Sequence, residues 1–215
     1  MDRTITAIIV QKRNPNRVNI SLDGEFSFGV DRLVAAWLKV GQKLSEEKIE
    51  TLRHADSIEA AFLRAMRLLS YRPRSEMEIR KRLVKVEIDE AIIENVINRL
   101  RENSLLNDEG FSKEWVENRS TFRPRSRRML QMELKQKGIE REIINKTLED
   151  VEDDLSLALQ AARKQAHRWT GLDESEFRKK MIGFLGRRGF TYSTIAVVCP
   201  QIWSEMQSET LFSVH

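Results

Sequence analysis

Two periodicities divide the chain. From Ser57 onward apolar residues return every three or four positions, whereas the first fifty residues carry short β-branched runs. Ile58, Ala61, Phe62, Ala65, Leu68 and Leu69 predict a helix over Ser57–Ser70. Pro73 interrupts it, because proline disfavours helical geometry in the residue before it. Ser75 then stands as an N-cap with Glu78 three residues on, a capping box that opens a short helix striped by Ile79 and Leu83. A third helix, roughly Asp89–Asn103, is marked by Ile92, Ile93, Val96, Ile97 and Leu100. In the N-terminal part, "TITAIIV" and "RVNISL" flank Asn14-Pro15-Asn16, and Asp23-Gly24 separates the latter from "EFSFGV". These runs predict a three-strand meander, with Asp23-Gly24 as its hairpin turn. A short helix around Asp31–Leu38 and another after Ser45 are expected to cover it. Three strands alone hold little core, so the module is expected to dock on the first helical unit.

The helical pattern repeats. The tetrapeptide RPRS occurs at Arg72–Ser75 and again at Arg123–Ser126, and the similarity continues without a gap at the same offset. Ile79 aligns with Leu130, Leu83 with Leu134, Ile88 with Ile139, Ile92 and Ile93 with Ile143 and Ile144, and Leu100 with Val151. A further step of the same length places Met181, Leu185, Phe190, Ile195, Val198 and Ile202 on the same register, and Gly189 on Gly138. This third copy carries "GLDESEFRKK" in place of RPRS. Three units of three helices follow, each with a small core, so neighbouring units are expected to pack on one another. The expected divisions are a β-rich module at 1–53 and repeats at 54–106, 107–151 and 152–215. In the second repeat Asn107 or Asp108 caps a helix whose Phe111 and Trp115 lie on one face. That spacing favours the core over a base-stacking platform. The third repeat begins near Asp153, where Asp153-Asp154 reads as a helix start, and Asp173 with Glu176 repeats the capping pattern.

Composition narrows the chemistry. A third of the residues are charged and the mean hydropathy is −0.48, so a large solvated surface is expected. No apolar run approaches the ~18 residues of a membrane span. "MDRTITAIIVQKR" shows no export signal, and a cytoplasmic location is expected. The single cysteine, Cys199, rules out an intrachain disulfide and reads as a buried thiol. His54, His167 and His215 are scattered, so no metal site is expected. There is no phosphate-binding glycine loop of either common type. A binding protein with no cofactor is expected rather than an enzyme.

Charge is polarised along the middle of the chain. From Arg119 to Lys137 seven cations face one anion, Glu133, while from Glu140 to Asp154 seven acids outnumber two bases. Ser126 is again an N-cap, but Arg127 and Arg128 fill the first turn, where cations oppose the helix dipole by about 0.3–1 kcal/mol each. The first repeat has Glu76 and Glu78 there. Arg128, Gln131 and Lys135 share one side of the helix, away from Leu130 and Leu134. Their counterparts Met77, Arg80 and Val84 suit packing. A basic stripe set against local preference points to an acidic partner, while the plainer reading of any charge run is a solvated face. The candidate surface comprises Arg119, Arg123, Arg125, Arg127, Arg128, Gln131, Lys135 and Lys137, with Arg72 and Arg74 from the first RPRS. Arg187 and Arg188 are further candidate basic contacts.

Several segments taken together resemble a known family. "LSYRPRSEMEIRKRL", then "LLNDEGFSKEWVENR" and "RPRSRRMLQMELKQKGI", with "FLGRRGFTYSTI" near the end, are similar to the RecX regulators of the bacterial RecA recombinase. The resemblance spans roughly Ile58 to Ile202, and the β-rich start resembles the N-terminal extension of some members. Ser104 stands where the family usually carries glycine. The resemblance implies a mainly α fold of three tandem three-helix repeats in an elongated, curved array. It also implies binding along the groove of the RecA–DNA filament and inhibition of ATP hydrolysis and strand exchange; a monomer is expected. The alternative is direct binding of single- or double-stranded DNA by the basic face of the second repeat.

Overall fold

A computed structural model describes residues 2–212. The chain forms two compact units whose boundary in sequence falls between Leu106 and Asn107.

In the first unit, β1 (Arg3–Gln11), β2 (Asn14–Leu22), β3 (Glu25–Asp31) and β4 (Lys43–Leu44) form an antiparallel sheet in the order β3-β2-β1-β4. The expected meander is present, and β4 adds a fourth strand too short to show any alternation. Asp23 and Gly24 both take left-handed backbone, with φ 53° and 92°. That is the turn whose twist matches the flanking strands. Asp23 also accepts hydrogen bonds from the Thr4 N–H at 2.9 Å and Arg3 Nε at 3.0 Å, and these hold its carboxyl below the ordinary value.

The helix expected around Asp31–Leu38 does not form, and residues 32–37 make turns instead. The Ala35 N–H bonds to the Asp31 carbonyl, but Ala36 and Leu38 reach back only three residues, to Leu33 and Ala35. So short a run does not recover the cost of nucleating a helix.

The inner face of the sheet, with Ile5, Val18, Ile20, Leu22, Phe28 and Val30, packs on Ile49 and Leu52 of α1 (Glu46–Tyr71). The two helices expected after Ser45 and over Ser57–Ser70 are one continuous element, which runs through the expected 53/54 division. The break in the apolar pattern has a cause: Asp56 faces the sheet, accepting from Arg17 at 2.7 Å and from the Asp31 N–H at 2.7 Å. Beyond that point α1 packs with α2 (Glu76–Val84) and α3 (Glu90–Glu102) around Ala61, Ala65, Ile79, Leu83, Ile93, Val96, Ile97 and Leu100.

The second unit contains α4 (Asp108–Phe122), α5 (Arg127–Gln136) and α6 (Arg141–Glu149), then α7 (Asp154–Ala166), α8 (Glu174–Gly186) and α9 (Tyr192–Phe212). Asn107, Ser126, Asp153 and Asp173 each accept a backbone N–H in the first turn of the helix that follows. Phe111 and Trp115 stack at 5.8 Å between centroids in the α4–α6 core. Val151 packs against both this core and that of α7–α9, making the two cores contiguous.

All three repeats share one device after their second helix. Glu87, Gly138 and Gly189 take φ 60°, 80° and 88°. The next residue then donates its N–H back across the turn: Ile88 to Leu83 at 3.3 Å, Ile139 to Leu134 at 3.1 Å and Phe190 to Leu185 at 3.3 Å. This left-handed helix ending brings the two apolar residues of each pair together. The sequence pairs only the two glycines; the first repeat makes the same turn with glutamate. Ser104 takes φ 55° after α3, the same left-handed geometry that glycine adopts without steric cost.

Candidate interaction surface

The basic segment separates into side chains used inside the fold and side chains left in solvent. Glu133 is the centre of the first group. It is 9% exposed and accepts from Trp115 Nε1 at 2.8 Å, from Arg119 Nε at 2.9 Å and from Arg125. Arg119 and Lys137 also lie over the Trp115 ring, at 4.3 and 4.7 Å from its centroid. Arg127 belongs to this group as well. Its backbone N–H donates to Asp154 at 2.7 Å, and its guanidinium donates to the Leu148 carbonyl at the end of α6. The carboxylate that offsets the unfavourable dipole at the start of α5 is therefore supplied from within the chain, by the start of α7. Arg188 donates to the Pro124 carbonyl at 3.0 Å and lies over the Phe184 ring. Burial, with Arg125 and Arg123 nearby, lowers its pKa from the ordinary arginine value.

The second group forms a groove. Arg128, Gln131, Met132 and Lys135 of α5, with Ile139 and with Arg141 and Ile144 of α6, line an open cavity of about 540 Å³. Arg128, Lys135 and Arg141 are exposed, and no carboxylate lines the groove. The helical face expected from sequence is thus brought together as Arg128, Gln131 and Lys135. Arg141 was missed because it sits in the acidic segment. The dipole argument that singles out Arg127 and Arg128 applies to it equally, since it is the first residue of α6 and Glu140 makes no side-chain cap. Arg187 lies elsewhere, in a groove with Trp169, Glu176, Lys179, Lys180 and Gly183.

In the first repeat the cation on the corresponding helical face, Arg80, is neutralised. Arg80 bonds Glu94 at 2.7 Å, Glu76 at 2.9 Å and Glu90 at 3.2 Å, and Glu94 and then Glu76 raise its pKa. Val84, expected to pack, is 55% exposed. It is an exposed valine on a neutral face, where the second repeat has lysine on a basic one. Arg72 holds Glu78 through both guanidinium nitrogens at 3.0 and 3.1 Å, and Arg74 Nε donates to the Leu68 carbonyl. Both first-repeat arginines are thus engaged locally. Among the described residues, no helix is long and apolar enough to cross a membrane and no acid–histidine–cysteine cluster fits a metal ion.

Comparison with known proteins places this arrangement. Models for the regulatory protein RecX N-terminal domain and for the first, second and third RecX three-helix domains match residues 3–45, 61–100, 107–148 and 152–198. A regulatory protein RecX from Bacillus velezensis is 34% identical over 209 residues, covering 95% of this chain and 80% of that one. The chain belongs to the RecX family. The RecX of Bacillus subtilis is 32% identical over 210 residues, with 96% and 80% covered. A crystal structure of a regulatory protein RecX superposes with a TM-score of 0.71 at 28% identity, covering 91% of this chain and 98% of that one. RecX from Lactobacillus salivarius gives 0.57 at 25% identity, covering 69% and 97%. The mainly α fold with three three-helix repeats and a small N-terminal sheet is thus the RecX fold, and the α5–α6 groove lies within its second three-helix domain.

Proposed function

We propose that the chain regulates the RecA recombinase as a monomer in the bacterial cytoplasm, seating in the groove of the RecA–DNA filament and suppressing its ATP hydrolysis and strand exchange. It acts by binding, with no turnover of its own. The observation that carries this reading is the α5–α6 groove, in which three exposed cations meet no carboxylate, while Arg80, the cation on the matching face of the first repeat, is paired with Glu76, Glu90 and Glu94. Such a surface attracts an acidic partner over a Debye length of about 8 Å at physiological salt. The test is a titration of RecA's DNA-dependent ATPase by the full chain. Suppression at stoichiometric amounts, under salt where the chain does not bind bare DNA, supports filament binding. Unchanged ATPase and strand exchange at stoichiometric excess overturns it.

Exposed Arg123, with no ion pair among the described residues, favours a second reading in which nucleic acid is bound directly. The two readings separate by salt. Contact of Arg123 and the three groove cations with duplex phosphates predicts that log affinity for bare DNA falls with log salt at a slope of about −3.6.

A further inference from the structure

We propose that the corner joining α4 to α5 is a stacking site for single-stranded nucleic acid, with the Phe122 ring as the platform for a base and Arg123 as the phosphate contact. The inference deepens the second reading above and rests on it.

Phe122 is the last residue of α4 and is 70% exposed. Its counterpart in the first repeat, Tyr71, ends α1 and is 78% exposed. Two repeats thus hold an aromatic ring in solvent directly before Arg-Pro-Arg-Ser, while the aligned apolar positions downstream are buried or half-buried. A solitary exposed ring is unremarkable. What sets Phe122 apart is the charge gathered around it. At the first corner Arg72 is held by Glu78. At the second, Met129 stands where the repeat places Glu78, and Arg123 is left without a carboxylate among the described residues. The fold then adds cations from the third repeat. Lys164 donates to the Thr121 carbonyl, and Arg188 donates to the Pro124 carbonyl, on either side of Phe122–Arg123. Arg119 and Arg125 share the single carboxylate of Glu133. An accessible π face inside a cluster of cations is what a single strand requires, since each base offers a face and each linkage a phosphate. A duplex hides those faces in its stack, and an acidic protein surface has no use for the ring.

The test is fluorescence anisotropy of a labelled oligothymidylate of about 15 nucleotides, titrated with the full chain and its variants. Phe122→Ala is expected to weaken binding about five- to hundredfold, the range of one lost base stack. Phe122→Trp keeps the affinity. Tyr71→Ala, at the neutralised corner, changes it by less than about twofold. A duplex of the same length binds with no sensitivity to Phe122→Ala. The ring is largely in solvent, so its removal leaves the circular dichroism spectrum unchanged. If Phe122→Ala binds as tightly as the parent while Arg123→Glu does not, the stacking site is overturned and direct phosphate binding stands. If the parent fails to bind the oligonucleotide at low salt, both fall. If Phe122→Ala loses RecA suppression with unchanged oligonucleotide affinity, the ring docks on protein and the proposal is wrong.

Discussion

Replacing Gly189 with alanine isolates the contact that joins the second and third repeats. The residue has φ 88°, and a left-handed backbone costs an L-amino acid about 1–2 kcal/mol. A Cβ at that position would also fall 2.6 Å from Ser126 Oγ and 3.0 Å from Met129 Cβ. Ser126 has little room to yield. It is fully buried, its Oγ accepts from the Met129 N–H at 3.2 Å, and its own N–H donates to the Arg188 carbonyl at 3.1 Å. Displacing it loosens an N-cap worth about 1 kcal/mol. Forcing a methyl into packed surroundings costs about 1–3 kcal/mol. These two costs overlap, so the expected total is about 3 kcal/mol. Gly171→Ala is the matched control, because Gly171 has φ 87° and nothing within 4 Å of the added Cβ. It is expected to lose only the backbone share of about 1–2 kcal/mol. Urea unfolding followed by tryptophan fluorescence reads both, since Trp169 and Trp203 pack on the third-repeat core. Equal midpoint shifts for the two variants would refute the reasoning, because the left-handed backbone alone would then explain both.

Three further stability predictions follow from the repeat comparison and the ion pairs. Glu133→Ala strips the carboxylate from Arg119 and Arg125, whose side chains are 21% and 30% exposed. Breaking a buried pair costs about 3–5 kcal/mol, and partial access to water reduces the expectation here to about 2–3 kcal/mol. Glu109→Ala, which breaks an exposed pair with Lys146, shifts the same urea midpoint by less than about 0.5 kcal/mol. Glu87→Gly relieves the left-handed strain that the other two repeats avoid with glycine, and is expected to raise stability by about 0.5–1 kcal/mol in thermal unfolding.

The repeat was legible because its signals are local. RPRS and the capping residues mark helix starts, and the offset carries Ile79, Leu130 and Met181 to the same fully buried position. Elements whose cause lies far away in sequence were not legible. Strand β4 exists through its pairing with Arg3 and Thr4, and α1 runs through a polar stretch because Asp56 answers Arg17 from β2. The candidate surface divides in the same way. The outward face of α5 follows from helical spacing, so Arg128, Gln131 and Lys135 could be grouped in advance. The diversion of Arg127 to the end of α6 and of Arg125 to Glu133 depends on tertiary packing, which charge counting does not see.

The most direct test of the account is RecA's DNA-dependent ATPase measured against the full chain and against the Arg128→Glu/Lys135→Glu double variant. Both positions are exposed and line the groove, so the reversal leaves the core intact. The account predicts that the parent suppresses the activity at stoichiometric amounts and that the double variant, folded as judged by circular dichroism, loses that suppression. A double variant that suppresses as well as the parent would contradict the assignment of the α5–α6 groove as the contact surface.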